Sequence, residues 1–422
     1  MKKILITISL IILLGLGIFL LNKKEDLLQT NNILAIYIKQ EDGNYEKTNT
    51  IPESGYMLNE DRSVCTNNAQ PNWNINTNSL KINNLSSNNT NCYLYFDSLA
   101  KTKILANKTL TNRPEINGPL TTDGNDVYYE ALDDDGLSQY FAGVVDNNWV
   151  RFAGYYWRIV RINGDGTIRI IYNGPTTDQT GETTQIGVSA FNNLANDNAY
   201  VGYMYGTPGS STYEETHANI NDSTIKTVVD NWYETNIANN SNFVNKIDVN
   251  AGFCNDRSIK NNEDNLSWSM DTKKGYGLNY TAYNGFSKFG YEDSYKDIFE
   301  PTLYCPNKNH DLFTSKTSIK GNKKLTYPIG LITADEIVYA GAFGSQESNY
   351  YLNNNLVFWT MTADCFYKND MARVFIEHFE TTLGNYETKV AAGVRPVINL
   401  KANVTLTGTG TKDNPYIVEG AE

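Results

Sequence analysis

Residues 152–174 read FAGYYWRIVRINGDGTIRIIYNG, and this stretch decides the fold of the larger part of the chain. YYWRIVRI (155–162) and TIRIIY (167–172) are β-branched and aromatic, a composition that suits strands. Between them, Asn163-Gly164-Asp165-Gly166 supplies residues that accept positive φ, so the two runs fold back as a hairpin. Side chains alternate along a strand, which sends Arg158 and Arg161 to opposite faces. One of the two therefore faces inward and needs an acidic or carbonyl partner.

Towards the C-terminus, strand-like runs recur at 356–361, 374–377, 394–400, 404–406 and 416–418. Two segments read as helical. Over Ser223–Asn245, Ile225, Val228, Val229, Trp232 and Ile237 form one apolar face, and Asn239-Asn240 ends it. Thr333-Ala334-Asp335-Glu336 is a capping-box pattern that opens a second helix. Residues 255–325 are irregular, as functional loops and inserts often are. Towards the N-terminus, 33–39, 55–58 and 92–96 are short strand-like runs with no helical period between them. The expected architecture is α+β, with a signal-anchor or signal peptide over 1–24 and a small all-β module over 30–100. A linker over 101–124 then leads to an α+β domain over 125–422.

The chain has 422 residues, and 40% are hydrophobic, enough for a real core in about two to three domains. Its formal net charge is −12. Such a surface repels phosphate backbones, which argues against nucleic-acid partners. Three histidines make a His-rich metal site a poor expectation. Lys2 and Lys3 precede an uncharged apolar run, ILITISLIILLGLGIFLL, from Ile4 to Leu21. As a helix it would span about 27 Å, close to a bilayer core. It is longer than the apolar stretch of most cleaved leaders, and no Ala-x-Ala follows it. A single-pass membrane helix with the large C-terminal part outside the cell is expected, and a secreted protein if the segment is cleaved.

Cys65, Cys92, Cys254, Cys305 and Cys365 form no C-x-x-C pair. Wide spacing in an exported chain suggests disulfides, and pairing within modules joins Cys65 to Cys92 and Cys254 to Cys305. Cys365 is left over, as a small core-filling residue.

Four segments carry a resemblance: the hairpin stretch above, YPIGLITADEIVYAGAF (327–343), FWTMTAD (358–364) and GVRPVINLKANVTLTGTGTKDNPYIV (393–418). Together they resemble a family of uncharacterised exported proteins of low-GC Gram-positive bacteria. The C-terminal domain of that family resembles the C-type-lectin-like, formylglycine-generating-enzyme-type fold. GYMLNEDRSVC (55–65) and NCYLYFD (91–97) look like the module that often precedes this domain. The resemblance implies an extracellular mixed α+β domain and no known activity. The reactive cysteine pair of the formylglycine-generating enzymes has no counterpart in this spacing.

Aromatic residues crowd 350–367, with hydroxyls and carboxylates among them. Rings of this kind present area at low entropic cost to sugars or protein ligands. Tyr350, Trp359, Thr362, Asp364 and Phe366 are the expected ligand-binding residues, although Trp and Phe in such a run also serve as core. Arg395 reads as an internal partner of an acid or a carbonyl. The oxygen-rich loops Asp123–Asp126, Asp133–Gly136 and Asn163–Asp165 leave calcium open as a cofactor, against the plainer reading of turn chemistry. His217, His310 and His378 lie beside no nucleophile motif, and no spacing singles out a catalytic carboxylate pair. The sequence therefore supports cell-surface binding or adhesion, to a glycan or protein ligand, with no catalytic residue and no metal ligand assigned. An extracellular oxidase or hydrolase is the alternative, and a structural envelope protein the second.

Overall fold

The computed structural model describes residues 33–422, apart from 41–43, 53–54, 75–76, 87–89, 114–115, 117–119, 121, 260–273, 290–299, 344–348, 368–370 and 379–382. The apolar segment at 4–21, with the membrane helix expected of it, lies outside the described residues. Among the described residues no helix is long and apolar enough to cross a membrane. The chain divides into two units, Met1–Ser98 and Leu99–Glu422.

In the first unit the strands are β1 (Ile33–Lys39), β2 (Tyr45–Thr48), β3 (Tyr56–Leu58), β4 (Val64–Cys65), β5 (Gln70–Asn74), β6 (Ser79–Asn83) and β7 (Asn91–Ser98). Five form a sheet of order β2-β1-β7-β3, with β4 also on β7, and β5 and β6 pair separately. Strand alternation buries Ile36, Leu94 and Phe96 on one face, and Trp73 meets Phe96 edge-on at 5.1 Å. The other face carries Tyr37 stacked on Tyr95 at 4.7 Å. Cys65 lies opposite Cys92 across the β4–β7 pair, and the two form a disulfide. For a core this small, closing a loop of 27 residues is worth about 3.5 kcal/mol in the chain-entropy picture.

The second unit begins at Leu99, ahead of the expected linker over 101–124, and the helix Ala100–Leu105 and β8 (Thr109–Leu110) belong to it. Then come β9 (Val127–Asp133), β10 (Gly136–Tyr140), β11 (Trp149–Phe152), β12 (Tyr155–Ile162) and β13 (Ile168–Gly174). The hairpin read from residues 152–174 is β12–β13, antiparallel, with an irregularity between Ile159 and Arg161. β10 and β11 pair with β12, and β13 pairs in turn with Val397–Leu400, within a nine-stranded sheet. A six-stranded sheet surrounds Phe358–Tyr367, which pairs with Met371–Glu377, Ala391–Gly393 and Thr281–Ala282.

The α+β class expected from the sequence is corrected by this architecture. Among the described residues strands make up 36% and helices 14%, so strands dominate. The physical reason is length. The helix expected over 223–245 is broken into an α-helix over Thr224–Tyr233, a π turn over Glu234–Ala238 and a single α turn over Ser241–Val244, and the helix at Thr333 runs only to Ala340. Helices of two or three turns stabilise little alone, whereas the β-branched and aromatic runs pair into extended ladders. The C-type-lectin-like reading falls with that class and is not carried further.

Arg158 and Arg161 both find partners, but the expected alternation is broken: an extra residue between Ile159 and Arg161 sets Arg158 opposite Ile171 and Arg161 opposite Arg169, two positions apart on β13. Arg158, fully buried, donates Nε to Asn148 Oδ1 at 2.7 Å and Nη2 to the Val145 carbonyl, and lies 4.1 Å from the Trp149 ring centre. Arg161 reaches the acids Asp133 and Glu336.

Candidate functional site

The capping box at Thr333 forms as read. Thr333 Oγ1 accepts the Glu336 N–H at 3.1 Å, and Glu336 Oε2 accepts the Thr333 N–H at 3.1 Å. Its other oxygen, Oε1, lies 2.9 Å from Arg161 Nε and 2.5 Å from Arg169 Nε. One glutamate thus caps the start of a helix and ties it to both strands of the β12–β13 hairpin. Asp133, at the end of β9, extends the tie. Its Oδ2 accepts Ser138 Oγ–H at 2.7 Å, Arg161 Nη1 at 2.8 Å and the Gly164 N–H at 2.9 Å. Gly164 is required for this approach rather than for positive φ, since a Cβ there would lie 2.4 Å from the Gly136 nitrogen. Positive φ belongs to Gly166, at 85°.

These residues form one wall of a cleft of about 230 Å³ in the second unit. Seven carboxylates and five cations line it among the described residues. Lys320 bridges Asp135 and Asp165 at 2.6 and 2.9 Å. Lys308 meets Asp134 at 3.0 Å, and Asp134 also accepts the Cys305 N–H at 3.1 Å. Lys288 stands 3.0 Å from Asp335 Oδ1 and 3.9 Å from Asp256. The Thr302 N–H donates to the same Asp335 oxygen at 2.9 Å. The Cys254–Cys305 disulfide borders the cleft, and Tyr304, 46% exposed, lines it.

Burial raises the pKa of Asp335 and Asp135 against the pull of Lys288 and Lys320. Burial also opposes ionisation of Glu336 and Asp165, but their cations outweigh it. Arg169 and Arg161 hold the Glu336 carboxyl below its ordinary value, and Lys320 with Thr167 does so for Asp165. The cleft thus holds two kinds of carboxylate: those whose cations outweigh burial, Glu336 and Asp165, and those for which burial outweighs the paired lysine, Asp335 and Asp135.

The expected ligand-binding residues lie elsewhere, with one exception. Phe358–Tyr367 is an inner strand of its sheet, buried along nine of its ten residues. Trp359 is fully buried and donates its ring N–H to the Ser189 carbonyl at 2.8 Å. Phe366 is core. Tyr350 is buried with its hydroxyl 3.2 Å from Glu377. Asp364 is buried beside the free Cys365, whose thiol donates to it at 3.3 Å, and burial pushes the Asp364 carboxyl up to about 7. Thr362 alone borders the cleft, accepting the Ala334 N–H at 2.9 Å. Arg395 serves internal acceptors, among them the Leu352 carbonyl at 2.8 Å.

Two of the three oxygen-rich loops converge, but around a lysine. Asp135 and Asp165 hold the Lys320 ammonium where a calcium reading would place the cation. Asp123 makes a local turn, accepting the Asn125 N–H at 3.0 Å. Among the described residues, no group of three or more His, Cys, Asp or Glu is placed to hold a metal. Sequence reasoning missed Lys288, Lys320 and Asp335 as site residues. The usable signal was the pair of inward arginines at 161 and 169, which demanded an acid, and the capping glutamate that meets them. No protein-family model, curated protein or solved structure matches the chain.

Proposed function

We propose that this is an extracellular binding protein that seats a polar group of a glycan or protein ligand in the charged cleft of its second unit. Attachment to the membrane through residues 4–21 is part of the proposal, as is the oxidising compartment that suits two disulfides. The observation that carries it is the cleft itself. Its polar side chains are held by ion pairs from several elements, a preorganised arrangement of the kind specific sites require.

The test probes glycan and peptide arrays with the full chain in mild detergent. Reproducible hits are expected, weakened by Tyr304→Ala at the cleft and retained in Tyr93→Ala, an exposed position of the first unit. Hits that survive Tyr304→Ala and Asp335→Asn in folded protein, or no hits, would sink the reading.

A second reading, an extracellular hydrolase, draws on one feature. Asp335 is a buried carboxyl of raised pKa with Asp256 and Lys288 beside it, a setting suited to general acid–base work. Release of product from an array ligand by the wild-type chain, lost in Asp335→Asn, would move the assignment there.

A further inference from the structure

We infer that the group recognised in the cleft is an ammonium, a primary amine carried by a sugar or a peptide, with Asp335 as its carboxylate. The inference rests on the cleft being the binding site and deepens that reading.

Charge is the first consideration. Seven carboxylates face five cations, and each cation is already committed. Arg161 serves Asp133 and Glu336, and Arg169 serves Glu336. Lys320 serves Asp135 and Asp165, Lys308 serves Asp134, and Lys288 serves Asp335 with Asp256 more distant. An anionic ligand would meet an excess of carboxylates whose cations are already paired, whereas a cationic one offsets that excess.

Unused acceptors are the second, independent consideration. Asn163 borders the cleft, is 8% exposed, and gives its Nδ2 to Thr167 and Asn399 at 2.8 and 2.9 Å. Its Oδ1 is buried and has no donor among the described residues. Asp335, 5% exposed, receives both its donors on Oδ1, and Oδ2 accepts no hydrogen bond among the described residues. A buried acceptor left without a donor, as Asn163 Oδ1 is among the described residues, is costly, and an ammonium is a compact group with three donors and no acceptor. Burial raises the Asp335 pKa, and an arriving positive charge would reverse that. Size agrees as well. A cleft of about 230 Å³ is smaller than drug-sized pockets, which run from about 300 to 1,000 Å³, and suits one sugar ring or one side chain.

The test is calorimetric titration of the full chain in detergent with paired probes. Glucosamine is compared with N-acetylglucosamine, and Nα-acetyl-lysine amide with its Nε-acetylated form. The free amine is expected to bind at least about tenfold more tightly than its acetylated counterpart in one pair. Whichever pair discriminates tells a sugar source from a peptide source. Asp335→Asn, checked for an unchanged melting profile, is expected to abolish the difference. Equal binding of free and acetylated probes would overturn the ammonium assignment and leave the cleft reading standing on its array hits. Absence of binding by both amines would overturn it as well. The comparison of probes on the wild-type chain needs no variant, so a misfolded Asp335→Asn protein does not blunt it.

Discussion

Asp364 and Lys320 show how differently two charges can be housed in one unit. Asp364 sits in the core with its carboxyl pushed up to about 7 by burial, against the weaker pulls of Cys365 and Arg373. Its folded pKa lies above the unfolded one, so its contribution is fully present below about pH 4 and is lost as pH rises towards 7. Asp364→Asn is expected to flatten this loss, which is on the order of 4 kcal/mol for a shift of this size. Chemical denaturation at a series of pH values measures it, and parallel pH profiles for the two proteins would contradict it. Lys320 is the reverse case, since burial works against its charge but Asp165 and Asp135 raise its pKa. Lys320→Ala leaves those acids facing each other, with an expected loss of about 1–2 kcal/mol for a half-buried pair. Millimolar calcium is expected to restore part of the melting temperature in that variant and to do nothing to the wild type. Thermal unfolding with and without EDTA reads both.

At the scale of elements, the helix Ala334–Ala340 and the β12–β13 hairpin are joined through Glu336. Glu336→Gln keeps a capping side chain but leaves Arg169 with a neutral partner and Arg161 with Asp133 as its acid. A loss of about 3–5 kcal/mol is expected, as for a broken buried pair. Thr333→Ala, which removes only the cap, is expected to cost about 1 kcal/mol. Equal losses in urea titrations would contradict the division of roles. Gly164→Ala pushes a Cβ against Gly136 and is expected to destabilise by about 1–3 kcal/mol, as overpacking does. The hairpin and the capping box were legible in the sequence because both are local. Turn residues sit between β-rich runs, and a Glu stands three positions after a Thr. The cysteine pairs were legible because each stays within its unit. Helix length was not legible, because the apolar period at 225–237 continues past Tyr233, where the chain leaves the α form for a π turn over Glu234–Ala238. The cleft was not legible either. Asp133, Asp165, Lys320 and Asp335 come from a strand end, a turn, a loop and a helix far apart in the chain and meet only in the folded unit. The aromatic run at 350–367 misled because an inner strand and a binding face share the same composition, and pairing on both edges decides between them.

At the scale of the molecule, two units with one disulfide each should report separately on reduction. Loss of the Cys65–Cys92 link costs a small core about 3.5 kcal/mol, and loss of the 51-residue Cys254–Cys305 closure about 4 kcal/mol. The first unit, with few buried residues, is expected to unfold at ambient temperature on reduction, while the second melts lower but still cooperatively. Calorimetry before and after a reductant distinguishes this from a single shared transition. The central claim is that ligand enters the charged cleft of the second unit. Hydrogen–deuterium exchange of the full chain, with and without the strongest array ligand, tests it most directly. Protection is expected in 302–308, 320–321 and 333–336, the segments that line the cleft. Protection confined to residues 33–98, or along 350–360 with the cleft segments unchanged, would contradict it.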